Sequence, residues 1–199
     1  MIREPVRTRM MLPTHVLVGM ALATPVVLAV PGVGPAVVGG AVAGSIAPDL
    51  DVVARHRRTL HFPTGYVVAA IPAAAVALAV PTPATVGLAA GIVAAAVHCR
   101  MDAYGGSHEL RPWERNTDRA VYDHVRADWQ PAKRWVRYDG SGSDLLVSLV
   151  AAIPPAVLLS GSAHTILAAA LVVAFVYTAF RRRIPDLIDG IIDRLGRGS

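Results

Sequence analysis

Between Gly44 and His61 the chain reads GSIAPDLDVVARHRRTLH, an apolar run that ends at Pro48 and meets two carboxylates at once, Asp49 and Asp51. His56, Arg57, Arg58 and His61 follow within ten residues. Carboxylate and imidazole are donors for divalent metal ions. Asp49 and Asp51, two apart, cannot share a helix face, so a loop or a helix end must present them. A second group, His98-Cys99-Arg100-Met101-Asp102, sets an imidazole and a carboxylate at i and i+4, the spacing that puts both on one helical face. His15 opens the first apolar segment, where a lone histidine by itself reads as an interfacial or capping residue. The single cysteine, Cys99, excludes an internal disulfide and a thiolate-rich metal site, and reads as a small buried residue.

Together, His15, Asp49, Asp51, His56, His61, His98 and Asp102 form a pool of seven candidate metal ligands. One tetrahedral zinc needs fewer, so either two metals bind or some of the seven hold the true ligands in place. A mixed nitrogen and oxygen set suits zinc first, with manganese or iron as alternatives. Bound there, such an ion would lower the pKa of a water toward ~7. Asp51 is the expected general base, and Arg57 and Arg58 are expected to meet an anionic group on the substrate, phosphate above all. The blander reading of the two arginines is a loop held on anionic lipid headgroups.

The elements that must position these residues are apolar helices. The chain of 199 residues is 54% hydrophobic with only 6% aromatics, and its mean hydropathy is +0.48. That places it among membrane proteins whose small residues let helices approach closely. We expect one domain over residues 1–199 and an all-α, multi-pass transmembrane bundle of about six helices. The segments are roughly Leu12–Val30, Val33–Ala47, Gly65–Val80, Thr85–Val97, Leu145–Leu159 and Ala163–Phe180, of which the second and fourth are the weakest, with a re-entrant hairpin or a shallow helix as the alternative there. Lys and Arg number 3 before the first segment, 3 between the second and third, 8 between the fourth and fifth, and 5 after the sixth, which accounts for all 19. The other three connections carry no charge. Alternating loops then put every charge on one side, and the positive-inside rule makes it the cytoplasm of a plasma-membrane protein, with both termini inside. All seven candidate ligands fall in that same layer. The net charge of +5 is thereby explained without nucleic acid; the expected partners are membrane lipids and an anionic or phosphate-bearing substrate.

The opening MIREPVRTRMMLPTHVLVG imitates a secretory signal, but Pro31 after Leu28–Val30 argues against cleavage, and Met10 or Met11 would serve as a start. Residues 100–144 form the one sizeable polar region and hold all three tryptophans, Trp113, Trp129 and Trp135. This loop is expected at the headgroup layer, with a small helix over about Thr117–Asp128 and Ser143 as N-cap of the fifth segment. In the tail, about 184–199, Ile184, Leu187, Ile188, Ile191, Ile192 and Leu195 recur at helical spacing, predicting an amphipathic helix at the interface.

PDLD at 48–51, the HR…T…H run at 56–61, the HxxxD at 98–102 with its following glycines, and HxxxG at His15–Gly19 resemble the membrane-bound metal-dependent hydrolases of the YdjM/DUF457 group. The resemblance covers residues 11–112, about half the chain. It implies a divalent-metal site and a hydrolase activity, itself mostly inferred from motifs in that group. The chain departs from the commoner form at Val52, where PDLDH has histidine, and at Leu60 and Phe62, where T-H-S is usual. RPWE (111–114) and AVYDH (120–124) carry no role from the resemblance. A small transporter or metal-ion carrier, and a non-catalytic scaffold acting through its Arg/Trp loop, fit the same composition.

Overall fold

A computed structural model describes residues 12–196, the side chains of Asp193, Leu195 and Gly196 excepted; Met10, Met11 and the basic opening lie outside the described residues. The architecture is a bundle of six apolar helices, a small β-hairpin and one amphipathic helix. In chain order these are α1 (Leu12–Ala29), α2 (Gly34–Ile46), a 3-10 turn (Ala47–Val53), α3 (Pro63–Ala79), α4 (Pro83–Tyr104), β1 (Arg119–Asp123), β2 (Asp128–Pro131), α5 (Gly142–Leu158), α6 (Ser162–Phe180) and α7 (Ile184–Gly196).

The six apolar segments are thus helices, but their lengths differ from the sequence expectation. Four of them are long and apolar enough to cross a membrane: α1, α2 taken with its flanking 3-10 turns (Pro31–Val53), α4 and α6. The second and fourth segments, the weakest by hydropathy, thus belong to helical spans of 23 and 22 residues. The charged residues near their ends made the apolar runs look truncated, yet the helical backbone runs on through Arg100 and Asp102 to Tyr104. α3 and α5 have 17 residues each, which at 1.5 Å per residue is about 26 Å, short of a ~30 Å hydrocarbon core crossed upright. Outward-facing residues of α6 such as Val172, Val173 and Val176 are exposed and apolar, as lipid-facing positions are.

Proline and small residues place the helices. Pro63 and Pro83 open α3 and α4, positions where a missing N–H costs nothing, and Thr82 with Thr85 closes a capping box on α4. The closest packing in the bundle joins α2 to α4. Gly40 and Gly44 of α2 lie on Gly87 and Gly91 of α4, backbone against backbone, with no space for a Cβ at Gly40 or Gly44. Two small-xxx-small pairs facing each other permit that approach. A core of Val16, Leu17, Met20, Val38, Ala152 and Leu167 binds α1 to α2, α5 and α6. A second, of Ala23, Val33, Val37, Ala41 and Ala94, binds α1 and α2 to α4.

Two local expectations are corrected. Residues 117–128 do not form a helix; β1 pairs antiparallel with β2, Val121 opposite Gln130 and Asp123 opposite Asp128, with an irregularity between Arg119 and Val121. The run of Val121, Tyr122 and Trp129 is β-favouring, and Asp123 takes the amides of Val125 and Arg126 to close the turn. The N-cap of α5 is Ser141, whose hydroxyl accepts from Asp144 N, rather than Ser143. As expected, the tail is helical: α7 leaves Leu187, Ile191 and Ile192 exposed on one side.

Candidate metal centre

The N-terminal turn of α1, the 3-10 turn after α2, the loop before α3 and the C-terminal turns of α4 meet at one end of the bundle. His15, Asp49, Asp51, His56, His61, His98 and Asp102 come from those four places, and each is between 0 and 6% exposed. Burying so many ionisable groups in one apolar frame is costly unless they compensate one another or hold an ion.

The centre of the group is Asp49, His61, His98 and Asp102, which offer one donor atom each, all within 4.8 Å of one another. His98 Nε2 is 3.4 Å from Asp49 Oδ1 and 3.6 Å from Asp102 Oδ2. His61 Nε2 is 3.7 Å from Asp49 Oδ1 and 3.0 Å from Asp102 Oδ2. For ligands ~2.1 Å from a tetrahedral ion the edge between two donors is about 3.4 Å. Three of the four spacings lie within a few tenths of that edge. His61 Nε2, His98 Nε2 and the carboxylate oxygens of Asp49 and Asp102 are buried and face one another as ion pairs, without a well-directed hydrogen bond to satisfy any of them. Such atoms in native proteins call for an explanation, and a bound cation supplies one.

The other nitrogen of each imidazole is fixed. His98 Nδ1 donates to the Ser45 carbonyl at 2.7 Å; since a carbonyl only accepts, the proton sits on Nδ1 and the lone pair of the neutral ring on Nε2. Asp51 does the same for two histidines at once. Its Oδ1 accepts from His56 Nδ1 and its Oδ2 from His61 Nδ1, both at 2.9 Å, and Oδ2 also accepts the amides of Arg58 and Leu60. That leaves the expected general base with both oxygens engaged. His56 Nε2 is buried and without a hydrogen-bond partner. His61, which lies outside the helices, has an imidazolium that burial alone would disfavour, but Asp102 and Asp51 outweigh burial and push its pKa up.

His15 stacks on His98 with ring centroids 3.8 Å apart, and its Nε2 lies 3.4 Å from Asp102 Oδ1. Arg57 is buried in a left-handed backbone conformation (φ 60°) and its guanidinium donates to the Gly106 carbonyl at 2.9 Å, with Nη2 3.7 Å from Asp102 Oδ1. Arg58 is half-buried and lies over the Tyr122 ring, 4.2 Å from its centroid. With the histidines in the neutral form that metal ligation requires, Asp49, Asp51 and Asp102 against Arg57 leave a net charge of −2, the complement of a divalent ion.

The hairpin roofs this end. Tyr122 N donates to Arg57 O, Arg57 Nη1 reaches toward the carbonyl of Ala120, His124 Nε2 donates to Arg58 O, and Thr64 of α3 donates to Asp123. AVYDH (120–124) is therefore the strand that closes the site. RPWE (111–114) fastens α7 and α6: Arg111 pairs with Asp186 and Asp189, and the Trp113 ring lies beneath Arg181. Beside the site, Thr14 and Ser148 hydrogen-bond each other, and Thr14 also donates to Asp144 Oδ1. Neither this buried cluster nor the Gly40/Gly44–Gly87/Gly91 contact is evident as a site feature from composition, although both glycine pairs have the four-residue spacing. His164, at the opposite end of α6 and hydrogen-bonded to the Ala156 carbonyl, takes no part. Comparison with protein-family models, with curated proteins and with solved structures returns no match.

Proposed function

We propose that the protein is an integral-membrane, metal-dependent hydrolase of the YdjM/DUF457 type, acting on a phosphate-bearing lipid or lipid-linked substrate from the cytoplasmic face. The observation that carries the reading is the set of Asp49, His61, His98 and Asp102, buried, turned toward one another and spaced as ligands of one ion. A divalent ion held by these four residues would supply a Lewis acid and acidify a water toward ~7, with zinc the first candidate and manganese or iron the alternatives.

In this reading the protein's own groups divide the remaining work. Asp51 and the Ser45 carbonyl hold three imidazoles in fixed tautomers and orientations, the usual task of groups behind metal ligands. His56, its Nδ1 held by Asp51, receives a proton at Nε2 and so takes the general-base role that the sequence alone assigned to Asp51. Arg57 balances Asp102, and Arg58, at the rim, meets the anionic substrate group. The gathering of every Lys and Arg at one end of the bundle supports, by the positive-inside rule, a site at the inner headgroup layer with both termini cytoplasmic, α3 and α5 being read as short crossings.

Export of an ion across the bilayer finds no second station in the sequence: the three connections at the far end carry no acidic or basic residue. The test is metal analysis of protein purified in detergent, before and after the double substitution His98→Ala and Asp102→Ala. About one equivalent lost with the substitutions is expected. Equal metal content in the two proteins ends the hydrolase reading.

A further inference from the structure

One turn beyond the metal centre the bundle contains a cavity of about 360 Å³, at the lower end of the range occupied by small-molecule sites. Its walls are α1 and α3, which share no packed interface, and its floor is α2 and α4. At the end near the site it begins at Gly19, Ala41 and Ala94. These stand four residues, one turn, from His15, Ser45 and His98 in the same three helices. At the far end it reaches Val30, Pro81 and Val86. Along α1 the eleven-residue step from Gly19 to Val30 amounts to about 16 Å of rise.

The lining consists only of Gly, Ala, Val, Leu and Pro. A polar ligand would lose its hydration there and meet no side-chain donor or acceptor, which costs a few kcal/mol per group. The cavity therefore selects against sugars, nucleotides and free phosphate. It is long, narrow and parallel to the helices. Leu22, Val26 and Leu78 on its rim are themselves exposed on the apolar outer surface, so it opens sideways toward lipid rather than toward water. The water side of the metal centre, by contrast, is closed by the hairpin. We infer that this groove receives one alkyl chain of the substrate lipid, running down from a headgroup held at the metal centre toward the far ends of α1 and α4.

The inference rests on the hydrolase reading for the headgroup, and on the groove's position one helical turn from that site for the choice of occupant. An extended hydrocarbon chain matches the length, the absence of polar lining and the lateral opening together. Each methylene buried in such a groove adds to binding, and the gain accumulates with chain length until the groove is full.

The test uses the full chain in detergent with two photoreactive dodecyl phosphates, one bearing a diazirine next to the phosphate and one at the chain terminus. Peptide mapping should find the first probe in the layer of Gly19 and Ala94, and the second near Val30 and Val86. Ala90→Phe and Ala74→Phe, from two different walls, fill the groove. Either should lower labelling about tenfold, as the loss of one to two buried methylenes would, while metal content stays at the wild-type level. Val173→Phe, on the lipid-facing surface of α6, should leave labelling unchanged. Excess dodecanol should compete for the groove; excess inorganic phosphate should weaken binding without moving the label. Labelling spread evenly over the outer faces of α5 and α6, or unaffected by both Phe substitutions in folded protein, overturns the inference. Metal bound with no label in the groove rejects the groove and leaves the hydrolase reading standing. Label in the groove with no metal rejects the hydrolase reading and leaves the chain site.

Discussion

His98 of α4 gives its Nδ1 proton to the Ser45 carbonyl of α2, 2.7 Å away. A backbone atom of one helix thus sets the tautomer of a candidate ligand on another, and it can do so only because the two backbones are in contact.

That contact depends on Gly44 meeting Gly91, and Gly40 meeting Gly87, with no side chain between them. Gly44→Leu must push α2 off α4. Overpacking a close interface typically costs ~1–3 kcal/mol, and in this position the displacement also carries Ser45 away from His98. The expected result is a lower melting temperature in detergent together with loss of bound metal. Ala43→Leu, one residue away on a face of α2 that is partly open, should retain both.

Asp51 makes a distinct prediction because it is a charge held entirely by donors. Asp51→Asn keeps the shape, but one of its two terminal atoms becomes a donor facing an imidazole N–H. One of His56 and His61 must then turn or lose its partner. Substitution of a group behind metal ligands typically lowers affinity 10–100-fold. Competition against a chelator of known affinity should show a fall of about that size for zinc. Were Asp51 itself the general base with no positioning role, affinity would stay at the wild-type value and only turnover would drop.

How far these residues could be read without coordinates follows from what periodicity encodes. Six apolar runs were legible because each is long and interrupted by charge or proline, and HxxxD at 98–102 was legible because i, i+4 is a property of one helix. Segment ends were not: Arg100 and Asp102 look like loop residues to a hydropathy window, although the helix that carries them runs on to Tyr104 and is capped at buried Gly105. The hairpin was missed for a related reason. Its stability comes from Arg57, Arg58 and Thr64, more than fifty residues earlier in the chain. The division of labour between Asp49, which faces the ligand cluster, and Asp51, which faces away to two imidazoles, is set by a single 3-10 turn and has no signature in PDLD alone.

Arg181 and Asp139 tie the polar region to α6. Both are buried; Arg181 Nε donates to Asp139 Oδ2 at 2.7 Å, its Nη2 to Oδ1 at 3.1 Å, and the Tyr177 hydroxyl also donates to Oδ2. Removing one member of such a pair leaves the other charged and without compensation, which costs about 3–5 kcal/mol. Arg181→Met should destabilise by that amount in a chemical or thermal unfolding series. Arg181→Met combined with Asp139→Leu should recover part of the loss, since the pair itself adds little beyond an apolar replacement. An effect of the single substitution below ~1 kcal/mol would mean that the pair is solvated, as surface pairs are.

Asp123 gives the hairpin a dependence on pH whose sign is fixed by its partners. Burial alone would raise its pKa, but Thr64 and Gln130 side chains and the amides of Val125 and Arg126 all donate to the carboxylate and lower it below the ordinary aspartate value. The folded protein therefore holds this proton more weakly than the unfolded chain does. The contribution to stability is complete above the unfolded value of ~3.9 and is lost as pH falls from there through the folded pKa. Hydrogen exchange at the amides of 119–131 in wild type and Asp123→Asn, compared at equal pH so that intrinsic exchange cancels, reads this directly. At neutral pH the wild-type hairpin should be the better protected, because the carboxylate accepts four donors and the amide oxygen of asparagine cannot. As pH falls below about 3.9 the difference should shrink, and it closes once folded wild-type Asp123 has taken up its proton. A constant difference across that range would show that the hairpin is held over the site by its backbone contacts to Arg57 and Arg58 instead.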